Sequence, residues 1–395
     1  MIDVLLKKGK EKAVLYHHPW VFSGAVERVN GKPENGDIVR LLNAKGDFMA
    51  YGFYNGQSRV ALRLLEWDEH VEVDEQWFRE KVAAAVAGHS NVLVNGVTNT
   101  CRLIFSESDY LPGLIVDKYA NHLAVQVLTS GMEKIMPVII DELQRLLNPE
   151  SIFDKSDASS RSHEGLETQN ILLAGNHPPE RLEVIENGII YNINIAKGQK
   201  SGFYCDQRDN REIVASYAKG KNVLDCFCYT GGFTLNSLQN GAKSVTAVDS
   251  SVPAIDTLKE NIALNNFDAS KVTAIASDVN KQLRKFRDEG ELFDIVVLDP
   301  PKYAPSRSAL DKASRAYKDL NRLGMLLLNK GGLLATFSCS GAMNMETFKQ
   351  VLAWAALDAG KQVQFINQFC QPADHPVRAS FPEGEYLKGL LCRVL

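Results

Sequence analysis

Four apolar runs in the second half of the chain share one layout. Val223-Leu-Asp-Cys226, Val245-Thr-Ala-Val-Asp249, the run leading into Ile275-Ala-Ser-Asp278, and Ile295-Val-Val-Leu-Asp299 are short, rich in β-branched residues and bounded by turn signals. That pattern predicts strands buried on both faces. Leu334-Ala-Thr-Phe-Ser-Cys339 reads as a fifth strand after the turn Asn329-Lys-Gly-Gly332. Helical stretches separate the runs, so strands and helices alternate at βαβ spacing from about 184 to 395. The expectation is an α/β domain with a mainly parallel, doubly wound sheet.

The first half is patterned differently. Asp37–Leu42, Phe48–Phe53 and Val60–Leu65 read as short strands broken by Gly31-Lys-Pro33, Asn35-Gly36 and Asn55-Gly56, giving a β-rich module over 1–68. Residues 69–183 then predict a small central α/β unit. It has a helix around Glu75–Ala87, strands at Thr100–Ser106 and Leu123–Leu128 on either side of Gly113-Leu-Ile-Val-Asp117, and a helix near Met132–Leu147. From Ser156 to Glu183 the residues are polar and turn-forming, including Ser159-Ser160, Gly165 and Pro178-Pro179. This stretch reads as an irregular connector with a hairpin into the third segment, 184–395.

A chain of 395 residues exceeds what one core usually supports, which agrees with two or three domains. The net charge of -4 decides little about a polyanionic partner, because a basic face can sit inside a neutral total. Two basic clusters are candidates for phosphate contact: Lys7, Lys8, Lys10 and Lys12, and then Lys302, Arg307, Lys312, Arg315 and Lys318. Trp20, Phe22, Phe53 and Tyr54 could stack on unpaired bases or fill a small core. The seven cysteines are scattered without Cys-x-x-Cys pairs, and the histidines lack ligand spacing, so reduced thiols and no metal are expected. No signal-peptide pattern and no apolar run of about 18 residues is present, so a cytoplasmic protein away from membranes is expected.

The candidate chemistry lies where the strands end. Asp225 and Cys226 close the first strand, the turn Phe227-Cys-Tyr229-Thr-Gly231-Gly232 follows, and a helix starts at Phe233. Glycines there let backbone approach a ligand, and Asp249, closing the next strand, can accept both hydrogen bonds of a ribose diol. Neither G-x-G-x-x-G nor G-x-x-x-x-G-K-[ST] occurs, so nothing is built to cradle a pyrophosphate. A cofactor with a ribose and no phosphate fits, and S-adenosylmethionine is the foremost one. Asp278 and Asp299 extend the row of strand-end acids. Gln207 and Arg208, opening a helix after Ser201-Gly-Phe-Tyr204, read as polar contacts in one wall of the same pocket.

Cys339 should emerge beside Asp299, since all parallel strands end at one edge. A thiol beside a methyl donor suits a pyrimidine: a thiolate added at C6 turns C5 into an enamine-like carbon, and a carboxyl such as Asp299 can hydrogen-bond the N3 edge. The rival is amino-group methylation, in which the acid of Asp299-Pro300-Pro301-Lys302 and the following proline carbonyl hold an exocyclic amine. Cys339 separates the two.

In these motifs the chain resembles the ribosomal RNA large-subunit methyltransferases of the RlmI type, which make 5-methylcytidine in 23S ribosomal RNA. The likeness is carried by His18-Pro-Trp-Val-Phe-Ser-Gly-Ala-Val26, Glu107–Leu114, Gly198–Asp209, Cys226–Phe233, Asp299–Lys302, Thr336–Ser340 and Ala373-Asp-His-Pro376. It implies a PUA-like RNA-binding domain at the start, a linking α/β domain, and a Rossmann-like class I methyltransferase domain. It implies Cys339 as nucleophile, Asp249 on the ribose, Asp278 near the adenine and Asp299 at the target base. Asp225, Tyr229, Gly231, Gln207 and Arg208 would complete the cofactor pocket, with Pro300 and Lys302 on the substrate. The expected partner is RNA, and a homodimer is admitted without being required. A guanine or adenine amino methyltransferase, and a non-catalytic ribosome-assembly factor, remain the alternatives.

Overall fold

The computed structural model describes residues 1–93, 96–156, 161–304 and 306–395. Ser159-Ser160 of the connector therefore lie outside the described residues. The chain forms two compact units, one of Met1–Ile185, Ile193–Cys205 and Ala373–Gly384, the other of Glu186–Asn192, Asp206–Pro372 and Glu385–Leu395. Among the described residues no helix is long and apolar enough to cross a membrane.

In the first unit a six-stranded sheet has the order β2-β6-β5-β4-β1-β3. Its strands are β1 (Asp3–Leu6), β2 (Trp20–Phe22), β3 (Val26–Asn30), β4 (Ile38–Leu42), β5 (Phe48–Tyr54) and β6 (Val60–Glu66), with the short helix α1 (Lys12–Leu15) after β1. Buried and half-buried positions alternate along β4, which pairs parallel with β1 and antiparallel with β5, as expected of a sheet with one solvated face. The first three strands escape a pattern-based reading because each has five residues or fewer and little alternation.

A second sheet, β11-β10-β9-β8-β7, follows. It comprises β7 (Thr100–Phe105), β8 (Leu114–Tyr119), β9 (His122–Val127), β10 (Ser151–Asp154) and β11 (Ile171–Gly175), with helices α2 (Glu75–His89) and α3 (Ser130–Leu147). Asp74 and Thr129 cap the two helices by accepting the N–H groups of Trp77 and Met132. The connector is thus less irregular than its composition implies, because β11 pairs antiparallel with β10. Phe53, on β5, is 3% exposed and belongs to the core of this second sheet, so it is not available to stack on a base.

β12 (Leu182–Glu186) and β13 (Ile189–Ile193) form the expected hairpin. The second unit is built on a seven-stranded sheet of β14 (Asn222–Cys226), β15 (Ser244–Asp249), β16 (Val272–Ala276), β17 (Phe293–Leu298), β18 (Leu328–Ser338), β19 (Val363–Phe369) and β20 (Lys388–Val394). Helices α4 (Arg208–Ala215), α5 (Gly232–Gln239), α6 (Val252–Leu264), α7 (Val279–Glu289), α8 (Leu310–Leu326) and α9 (Met345–Ala359) accompany it. The order is β16-β15-β14-β17-β18-β20-β19, parallel as far as β18 and antiparallel beyond it. Successive crossovers leave in opposite directions from β14 and β17, which makes the carboxyl ends of those two strands the topological switch point.

The turn expected at Asn329–Gly332 occurs inside β18. Leu328 lies opposite Phe293 and Leu333 opposite Ile295, so four residues of β18 bulge against the single residue Asp294. Gly331 takes φ +78° in the bulge, and Asn329 Nδ2 donates to Asp294 Oδ1 at 3.0 Å.

Candidate active site at the carboxyl edge of the parallel sheet

Register places the strand ends side by side. Cys226 lies opposite Val248 and Leu298, Asp249 opposite Ala276, and Leu298 opposite Thr336. The loop after β14 is bent by two non-glycine residues in the left-handed region, Phe227 (φ 62°) and Tyr229 (φ 49°), followed by Gly231 (φ 94°). Such conformations cost about 1–3 kcal/mol each and persist only where surroundings impose them. Here the N–H groups of Phe227 and Cys228 both donate to the Val248 carbonyl, at 2.8 and 3.2 Å, and Asn261 Nδ2 donates to the Thr230 carbonyl at 3.0 Å.

Asp249 ties that loop to the next helix. Its Oδ2 accepts the Tyr229 N–H at 2.9 Å and its Oδ1 the Ser251 N–H at 2.8 Å, while Ser251 itself caps α6. The carboxylate is half-buried. Each oxygen keeps a further lone pair, so two more donors can be accepted.

The glycines serve packing. A Cβ on Gly231 would stand 2.2 Å from Leu258 Cδ1, and one on Gly232 2.5 Å from Arg211 Nε. The space a Cβ would take is filled by α6 and by Arg211, so packing requires both glycines independently of any ligand at their backbone.

Asp225 points away from the core face that Leu224 and Cys226 line. Thr234 Oγ1 donates to its Oδ2 at 2.6 Å, and Oδ1 is buried with no hydrogen-bond partner among the described residues. Burial pushes the carboxyl up to about 7 against the Thr234 bond, with the Asp299 carboxylate adding to the rise. Gln207 is also buried; its Oε1 accepts from Asn210 Nδ2 at 2.7 Å and its Nε2 has no partner among the described residues. Arg208, buried as well, meets Asp209 at 3.2 Å.

Asp278 is exposed and caps α7, accepting the Lys281 N–H at 2.8 Å. Asp299 is half-buried, and its N–H points to the Cys226 carbonyl at 3.5 Å. Pro300 is buried and Lys302 exposed. Of the basic residues after this loop, Lys318 is held by Asp358 at 2.7 Å.

Cys339 follows the last residue of β18 and is half-buried. The serines on either side fix it. Ser338 Oγ donates to Tyr317 Oη at 3.0 Å; Ser340 Oγ accepts the Ala304 N–H at 3.0 Å and lies 3.2 Å from the same Tyr317 oxygen. Burial pushes the Tyr317 hydroxyl up to about 12, so it stays protonated. Burial also pushes the Cys226 and Cys228 thiols well above the ordinary range and Cys392 up to about 12. A buried neutral thiol is a poor nucleophile, which leaves Cys339, half-buried after β18, and Cys370, exposed after β19, as the accessible thiols at this edge.

Sequence reasoning missed Thr234, Tyr317 and Lys388. Lys388, 3% exposed, begins β20 opposite Ser338 and donates from Nζ to the Ser340 carbonyl at 3.3 Å. A signal was available: a lone lysine inside Leu387-Lys-Gly-Leu-Leu-Cys392, an apolar strand pattern.

Comparison with known proteins agrees with this geometry. Residues 4–67 match the family model of a PUA-like domain, and residues 165–391 that of S-adenosylmethionine-dependent methyltransferases. The chain is 43% identical over 394 residues to the ribosomal RNA large subunit methyltransferase I of Erwinia tasmaniensis, covering 100% of both chains. It is also 43% identical over 392 residues to the protein of that name from Klebsiella pneumoniae, covering 99% of this chain and 98% of the relative. Among solved structures, a SAM-dependent methyltransferase from Streptococcus mutans superposes over 100% of both chains with TM-score 0.86 at 20% identity. A methyltransferase complexed with SAH does so with TM-score 0.87, also at 20% identity and 100% of both chains. At that identity the two structures support the fold.

Proposed function

The chain belongs to the ribosomal RNA large subunit methyltransferase I family and depends on S-adenosylmethionine; from that premise we propose that it methylates C5 of a cytosine in 23S ribosomal RNA, with Cys339 as nucleophile. The cofactor, when bound, supplies an electrophilic methyl group on a sulfonium. The residues present fit it: Asp225 Oδ1 and Gln207 Nε2 are buried polar atoms without partners among the described residues, and Asp249 retains acceptor capacity at the switch point. In this reading Asp249 holds the ribose and Asp278 the adenine, while Tyr229, Gly231 and Arg208 line the rest.

One observation carries the choice of C5: an accessible thiol, Cys339, follows β18 next to the strand that Asp299 follows and is held by its two neighbours through Tyr317. Its thiolate adds to C6 of the ring, and electron density moves to C5, which takes the methyl group. Loss of the C5 proton to a base then restores the double bond as the thiolate leaves. Asp299 hydrogen-bonds the N3 edge while charge develops there, and Pro300 and Lys302 border the target nucleotide. Residues 1–68 serve as the RNA-binding domain, 69–183 as a linking domain and 184–395 as the methyltransferase domain, acting in the cytoplasm.

RNA carrying 5-fluorocytosine at the target tests the reading. Fluorine cannot leave C5 as a cation, so the Cys339 thioether should persist and be seen as a covalent protein–RNA band that Cys339→Ala abolishes. Full methylation of unmodified RNA by a folded Cys339→Ala protein would reject it and favour methylation of an amino group held by the Asp299-Pro300 loop.

A further inference from the structure

We propose that Lys388 acts through Cys339 as a positioning residue, its ammonium holding the neighbouring sulfur as a thiolate at neutral pH. This rests on the reading of Cys339 as nucleophile. Because β20 runs antiparallel to β18 with Lys388 opposite Ser338, the lysine is carried to the edge where β18 ends. Its Nζ then reaches the Ser340 carbonyl at 3.3 Å. The lysine backbone is thus paired with the serine before Cys339, and its ammonium bonds the serine after it.

Burial makes this placement informative. An ammonium 3% exposed is costly to desolvate, and among the described residues Lys388 forms no ion pair with a carboxylate. A leucine or methionine would fill an apolar strand without that cost. The groups facing the lysine are Glu385 on its own strand's approach, Lys302 after β17 and Cys339 after β18. Tyr317, from α8, faces Cys339 and is itself neutral. Burial lowers the Lys388 pKa, and Lys302 lowers it further, while Glu385 and Cys339 raise it. That last coupling is reciprocal: an anionic sulfur that favours the ammonium is favoured by it to the same degree. The thiol proton goes to solvent, and the ammonium keeps its own.

The test is the pH dependence of Cys339 alkylation by iodoacetamide in the full-length protein. Mass spectrometry would read the Cys339 peptide, with free glutathione in the same reaction as reference. In the wild type the reactivity midpoint should lie about one pH unit or more below that of an ordinary thiol, near 8.5. Lys388→Met should raise the midpoint by about one pH unit and slow alkylation at pH 7 about tenfold, with the glutathione reference unmoved. Lys388→Arg, which keeps the charge, should restore the low midpoint. An unchanged midpoint in Lys388→Met overturns the proposal, as does an Arg variant that behaves like Met. Should Lys388→Met not fold, Lys388→Gln against Lys388→Arg makes the same comparison. The fluorocytosine adduct separates the two ideas. A covalent band with no midpoint shift sinks the role of Lys388 alone, whereas a shift without a band supports the coupling and sinks the nucleophile.

Discussion

Thr234 donates its hydroxyl to Asp225 across 2.6 Å, so one oxygen of a fully buried carboxyl is satisfied and the other is not. Burial holds the folded-state pKa at about 7, well above that of an unfolded aspartate. Between about pH 4 and 7 the folded chain therefore keeps a proton that the unfolded chain has released, and stability falls as pH rises through that window. Asp225→Asn removes the titration at nearly constant shape. Thermal melts should show the variant gaining on the wild type by up to about 4 kcal/mol from pH 4 to pH 8. A stability difference that is the same at both ends would remove Asp225 from this role.

Asp249 binds two backbone N–H groups in the absence of any ribose, so its loss should be felt twice. Asp249→Ala is expected to lower stability by about 1–3 kcal/mol and to weaken S-adenosylmethionine binding about ten- to a hundredfold. Asp249→Asn keeps one of the two acceptors and turns an NH2 donor toward the other backbone N–H, so it should recover only part of the stability and of the affinity. Calorimetric titration of the folded variants reads both, and unchanged affinity in either one would count against the ribose contact.

Gly231 is required by Leu258 and by its own left-handed backbone. Gly231→Ala should destabilise by about 2–4 kcal/mol, combining overpacking with backbone strain. Adding Leu258→Ala should relieve the steric part, giving a favourable coupling energy in a double-mutant cycle. Strict additivity in denaturant melts would show that the glycine is needed for something other than this contact.

Tyr317 meets both serines beside Cys339 with its hydroxyl. Tyr317→Phe leaves those serines without that partner and is expected to cost about 1–2 kcal/mol of stability. Single-turnover methylation should slow about tenfold or more, because a loosened nucleophile loses its alignment. Cofactor affinity should stay level, and an unaltered methylation rate would show that the turn holds without the tyrosine.

For the RNA face, substitution is a cleaner probe than deletion, since Phe53 sits in the core of the second sheet. Lys8 and Lys10 are exposed in the loop after β1. Reversing both to glutamate should weaken RNA binding without moving cofactor affinity. The slope of log affinity against log salt should flatten by about one for every phosphate that a lysine no longer neutralises. Equal RNA affinity at low salt would take this cluster out of the interface.

The parallel half of the catalytic sheet was legible because its strands are apolar on both faces and each ends at an acid or a thiol. The acids Asp225, Asp249, Asp278 and Asp299 fall at or just after the ends of their strands as read. What stayed hidden depends on pairing across distance. Nothing local announces that Asn329–Gly332 is a bulge inside β18, because the opposing residue, Asp294, belongs to another strand. Lys388 looks like an ordinary charge near a chain end until antiparallel register sets it against Ser338. Tyr317 lies in mid-helix, and its meaning comes only from the serines it meets. The packing role of Gly231 was hidden for a related reason: the atoms that exclude a Cβ there sit in α6, one helix and one strand further along the chain.

The interior place of β20 has a consequence for the order in which the chain is made. β19 leaves the ribosome before β20, yet β20 is the strand that fills the space between β18 and β19. Until residues 388–394 emerge, β18 presents an open edge beside Cys339 and β19 has no strand to pair with. A nascent chain stalled just short of Lys388 should therefore carry an exposed sheet edge, which chaperones could hold and which would otherwise invite pairing with another chain. The same timing keeps the surroundings of Cys339 incomplete during translation, so the fold itself delays completion of this edge until synthesis has passed β20.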